Sequence, residues 1–170
     1  MSAGTSRIAA AALVLAAAAA YANQPPDIDH HPASCTIADK AISICATITD
    51  DTQVAKARVF FRRSGETFFS FVDMSFGGMN FCATLPPPRE GKVRQLDYYV
   101  QAIDDQFESQ RTSGYTLQVM VEGACEFPPL EKDPARRAAI TVYATSKKQG
   151  KKVPDGFDPA GVTFVPLDAK

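Results

Sequence analysis

The chain has 170 residues, 45% of them hydrophobic, enough to close one domain of ordinary size around a core and leave an appendage. Its 18 basic and 19 acidic residues give a net charge of −1, which argues against a nucleic-acid partner, since that requires a basic face. Four cysteines are an even number that an oxidising compartment pairs into two disulfides.

The first 22 residues carry one cation at Arg7, an apolar run from Ile8 to Ala20, and the small-x-small sequence Ala20-Tyr21-Ala22. This is the layout of a secretory signal peptide, with cleavage expected after Ala22. The apolar run is short for a membrane span and no basic stop-transfer flank follows it. The expected mature chain is soluble and periplasmic or extracellular. Residues 23 to 125 then carry 9 basic and 13 acidic residues, and residues 126 to 170 carry 8 and 6. Salt screens so mild an asymmetry.

After a polar start, Ile28 to Ser34 reads as a short first strand, kept at an edge by Pro32. In the next segment Ile42, Ile44, Ala46 and Ile48 alternate with Ser43, Cys45, Thr47 and Thr49, the period of a strand with one buried face. Asp50-Asp51 breaks the pattern into a turn. Ala57, Val59 and Phe61 resume it, with Arg58, Phe60 and Arg62 on the opposite face. Glu66 to Met74 reads as a fourth strand, with Phe68, Val72 and Met74 facing one way and Phe69 and Phe71 the other. The glycines of SFGGMN turn the chain into a fifth, Met79 to Leu85, which Pro86-Pro87-Pro88 ends. The sixth runs from Leu96 to Asp104 and the seventh from Tyr115 to Val121. Seven short strands separated by turn signals predict an all-β sandwich or barrel.

Pro128-Pro129 separates a carboxy-terminal extension, residues 126 to 170, from the domain at 23 to 125. Within it Ala138 to Tyr143 and Gly161 to Val165 read as two more strands, joined by a segment carrying Lys147, Lys148, Lys151 and Lys152. A two-stranded unit is not stable alone, so a hairpin packed on the sandwich is expected.

The run AISICATITDD, then ARVFFRR, a strand ending in Met74, FCATLPPP and LDYYVQAIDD resembles the immunoglobulin-like and fibronectin type III-like domains of exported bacterial proteins. The resemblance covers roughly residues 27 to 122 and implies a seven-stranded antiparallel immunoglobulin-like sandwich, with Tyr98 in the place of the tyrosine corner. Tryptophan is absent, and Val100 stands where antibody-type domains carry an inter-sheet cysteine. In this topology the second and fifth strands are antiparallel neighbours, and the first and last run parallel. It therefore implies the disulfides Cys45–Cys82 and Cys35–Cys125. The rival pairing, Cys35–Cys45 with Cys82–Cys125, staples one hairpin but takes Cys82 off its own face.

No nucleophile-elbow, zinc-protease or phosphate-loop motif is present, so neither a catalytic residue nor a cofactor is expected. His30-His31 is the one histidine cluster, and neighbours on a strand point to opposite faces, so an ordinary exposed strand is the expectation there. The same topology gathers Asp50, Asp51, Asp104 and Asp105 at one pole with Asp27 and Asp29. They are a calcium candidate, with turn formation as the plainer role.

The outer face of the second sheet is the strongest functional lead. It collects Arg58, Phe60, Arg62, Phe69, Phe71, Tyr99, Ile103 and Met120, the composition of an interface core, and either the tail or a partner should cover it. The expected function is a non-enzymatic exported binding or structural accessory protein whose partner is another envelope or extracellular protein. The alternative is a carbohydrate-recognising module of an envelope or secreted enzyme, in which Phe69, Phe71 and Tyr99 stack on sugar rings.

Overall fold

A computed structural model describes residues 23–121, 125 and 139–167. The expected leader and the Pro128-Pro129 hinge lie outside them. The described residues form an all-β structure of two sheets packed over one core. Its strands are β1 (Asp27–Asp29), β2 (Cys35–Ile37), β3 (Ile42–Thr49), β4 (Val54–Arg63), β5 (Ser70–Asp73), β6 (Ser75–Phe76), β7 (Phe81–Leu85), β8 (Gln95–Asp104), β9 (Ser109–Arg111), β10 (Tyr115–Met120), β11 (Ile140–Ala144) and β12 (Val162–Val165).

The small sheet has the order β1-β3-β7-β6 and the large one β12-β11-β5-β4-β8-β10-β2, with β9 also on β8. Alternation decides which residues meet between them. Ile42, Ile44, Ala46 and Ile48 of β3 face Val59 and Phe61 of β4, and Leu96, Tyr98, Val100 and Ala102 of β8, in one buried cluster. Each of these is the residue that the period-2 pattern places inside.

Four expectations need correction. The first strand is not continuous from Ile28 to Ser34. β1 lies antiparallel to β3 in the small sheet, the chain then crosses, and β2 lies parallel to β10 in the large one. Pro32 sits at this crossing, where its missing N–H breaks no ladder. The fourth strand is likewise shorter than Glu66 to Met74. β5 belongs to the large sheet, and two residues on β6 joins the small one through β7. Seven strands therefore undercount the described sheets, because β6 and β9 are too short to show an alternation.

The fourth correction concerns the tail, which is not an antiparallel hairpin. β11 pairs antiparallel with β5, and β12 pairs with β11 in parallel. Parallel neighbours need a crossover of a dozen or more residues, and 145–161 supplies it. The Gln149 side chain pins this crossover to β5, donating to Phe69 O at 2.9 Å and Ser70 Oγ at 3.0 Å while accepting from the N–H groups of Thr145 and Ser146. Gly156 follows at φ +89°, where a Cβ would lie 2.7 Å from Val93 Cγ2. That close approach delivers Phe157 edge-on to Phe61 in the core, with ring centres 5.2 Å apart.

Both disulfides are those the resemblance implies. Cys45 and Cys82 are direct cross-strand partners of β3 and β7, and Cys35 at the start of β2 is joined to Cys125. Two disulfides fit an oxidising, non-cytoplasmic setting. No helix among the described residues is long and apolar enough to cross a membrane.

Candidate binding face

On the outer side of the large sheet, the pairing register lines residues of five strands into one row: Val165, Tyr143, Phe71, Phe60 and Tyr99. Directly opposite side chains in neighbouring strands lie close enough for rings to touch. Phe60 stacks on Tyr99 with centres 4.7 Å apart and planes within 4°. Phe71 stacks on Tyr143 at 4.9 Å and lies 5.3 Å from Phe60, and Phe69 meets Tyr99 edge-on. The tail therefore lengthens the aromatic row through Tyr143 instead of lying across it.

Arginines roof the row. The Arg58 guanidinium stands 4.5 Å from the Phe71 ring centre, Arg62 4.3 Å from Phe69, and Arg111 5.6 Å from Tyr99. Two are held in place by carboxylates on the neighbouring strands. Arg58 Nε donates to Asp73 at 3.0 Å, and Arg62 Nε to Asp97 at 3.2 Å. Asp97 also accepts from the hydroxyls of Ser64 and Thr116. Burial pushes the Tyr99 hydroxyl pKa up, and the Arg111 charge and hydrogen bond partly offset that.

The face is consequently not the open apolar patch that alternation alone suggests. Phe60 is 8% exposed, and Phe69, Phe71 and Tyr99 are half-buried beneath the guanidinium groups. Of the eight residues expected here, Arg58, Phe60, Arg62, Phe69, Phe71 and Tyr99 come together. Ile103 and Met120 share the face but make no ring contact with the row. Tyr143 and Arg111 belong to it and carried no signal in the sequence, since neither strand's pairing is written in its own residues.

At the acidic pole the carboxylates make turns. Asp50 Oδ1 accepts from the Thr52 N–H and hydroxyl, and the same hydroxyl lies 2.8 Å from Asp105 Oδ1. Asp104 is buried and accepts from the N–H groups of Gln106 and Glu108. Asp51 is exposed. Among the described residues no three carboxylate, histidine or cysteine side chains converge as the ligands of a cation would.

His30 departs from the exposed strand expected of it. Its Nδ1 lies 2.7 Å from Cys45 O and its Nε2 2.8 Å from the hydroxyl of Tyr98, and its ring packs edge-on against Tyr98 and Tyr115. His31 points into solvent beside Asp29.

No family model and no curated protein matches the chain. Among solved structures it is similar to an engineered protein at 14% identity, over 58% of this chain and 21% of that one, with a TM-score of 0.43. The chain thus spans about a fifth of that protein's length, and a likeness at this level carries no argument about function.

Proposed function

We propose that this chain is an exported, non-enzymatic binding or structural accessory protein of immunoglobulin-like architecture, and that the arginine-roofed aromatic row docks another envelope or extracellular protein. The strand orders support the architecture. β1, β3, β7 and β6 stand in the order of the A, B, E and D strands of such domains, and β10, β8 and β4 in that of G, F and C. The observation that carries the function is the row itself: Tyr143, Phe71, Phe60, Tyr99 and Phe69 in continuous ring contact under Arg58, Arg62 and Arg111. Aromatic and arginine side chains dominate binding energy at protein interfaces, and here intramolecular contacts already hold them in position, which lowers the ordering cost of association.

Photo-crosslinking tests this reading, with p-benzoylphenylalanine placed at Phe69, or at the exposed control position Met79, in cells exporting the chain. The expected result is one adduct from position 69 that is absent from position 79, and that Arg58→Ala with Arg62→Ala reduces about tenfold. Equal labelling from both positions, or none from position 69, rejects the docking face.

A further inference from the structure

At one end of the large sheet a turn holds a phenylalanine out in water. Phe107, between β8 and β9, is 88% exposed, and its φ of +70° is a left-handed conformation that a bulky side chain seldom adopts. The turn is nevertheless clamped. Asp104, 1% exposed, accepts from Gln106 N at 2.9 Å and Glu108 N at 2.8 Å, and its own N–H donates to Glu108 O at 3.0 Å. The ring is presented from a fixed base, in a backbone conformation that a glycine would adopt without strain. The turns at this end carry charges of one sign. Residues 50–53 and 104–108 carry Asp50, Asp51, Asp104, Asp105 and Glu108 and no cation, and the Thr52–Asp105 hydrogen bond ties the two turns together.

A cleft of about 660 Å³ lies at the opposite end, between the β4–β5 loop and the tail crossover. Phe68, Val153, Pro154 and Phe164 give it an apolar lining, and Lys151 and Lys152 stand at its rim. Glu66 and Asp155 also border it, but Arg63 reaches both, at 2.8 and 3.5 Å. Residues 147–156 carry four lysines against one aspartate, so the rim is basic.

We propose that the Phe107 tip of one copy of this chain inserts into the cleft of a second copy, giving head-to-tail self-association. The ring meets an apolar lining and its acidic collar meets the lysine rim. The cleft falls in the size range that encloses small ligands, ample for one phenyl group. Val54 pairs with Asp104 at one end of β4 while the cleft follows Arg63 at the other, so tip and cleft are separated by roughly 30 Å of strand. A molecule cannot fill its own cleft. Each docked copy leaves one tip and one cleft unoccupied, which makes the contact heterologous and propagating. A single ring and a few charges make it weak, concentration-dependent and salt-sensitive.

Sedimentation equilibrium on the protein recovered from expression of the full-length chain tests this. The weight-average mass should rise with concentration from the micromolar to the millimolar range and fall back at high salt. Phe107→Ala and, separately, Lys151→Glu with Lys152→Glu should each weaken association about tenfold or more. The decisive arm mixes the two variants. The first keeps its cleft and the second its tip, so together they should form a one-to-one complex that grows no further. A chain monomeric throughout, a Phe107→Ala variant that associates like the parent, or a mixture without the complex overturns the proposal. Because Phe107 and the cleft lie off the aromatic row, these outcomes leave the docking-face reading to its own test.

Discussion

His30 shows how one side chain couples two sheets. With Nδ1–H donating to the Cys45 carbonyl, Nε2 is left to accept from the Tyr98 hydroxyl, so the neutral ring satisfies both partners. Burial lowers its pKa below the ordinary 6.5, the Cys45 carbonyl opposes that shift, and His31 and Asp29 add smaller effects of opposite sign. The unfolded chain therefore takes up this proton first. The stability His30 contributes is complete above about pH 6.5 and is lost as the pH falls toward the lower folded value. Urea midpoints measured between pH 7.5 and 5.5 should decline, and in His30→Gln that decline should flatten. An unchanged slope in the variant would assign the dependence elsewhere. Nothing near His30 in the sequence announces this role, because Tyr98 is 68 residues away. The outer-face residues were legible for the opposite reason: Arg58, Phe60 and Arg62 share one strand, and a period of two sorts them without knowledge of any neighbour.

Among the elements, the long strands were readable and the tail's direction was not. Alternation in β3, β4 and β8 names their buried residues, but the same alternation serves a parallel or an antiparallel neighbour equally well. The crossover between β11 and β12 has no period at all, being rich in lysine, glycine and proline. The tail's contribution is nonetheless structural: Val142 of β11 is 0% exposed and Phe157 of the crossover 3%, both in the core cluster. Phe157→Ala should lower unfolding free energy by about 3 kcal/mol, the usual cost of emptying a buried aromatic site, as read from equilibrium denaturation. A loss below about 1 kcal/mol would mean that the crossover rests on the sandwich without sharing its core.

For the whole molecule, the covalent links divide the work unequally. The Cys35–Cys125 bond spans 90 residues of sequence and Cys45–Cys82 spans 37. In the chain-entropy account each contributes about 4 kcal/mol, with the longer loop ahead by under about 1 kcal/mol. Replacing each pair by alanines and comparing denaturation midpoints checks the ordering. A larger loss from the Cys45–Cys82 pair would show that packing on the small sheet outweighs loop closure. Composition pointed to two bonds, the topology implied by the resemblance favoured these partners over the rival pairing, and the structure decides between the two.

The same long bond has a mechanical meaning. β2 and β10 lie side by side and parallel, and Cys35–Cys125 joins the chain where it enters β2 to the chain just beyond β10. Tension applied at the two chain ends passes from one cysteine to the other through sulfur and never loads the chain between them. Pulled by its ends, the molecule should lengthen only in the segments before Cys35 and after Cys125. The aromatic row between Phe60 and Tyr99 should keep its shape under load, while the tail that carries Tyr143 should be the part that force strips away.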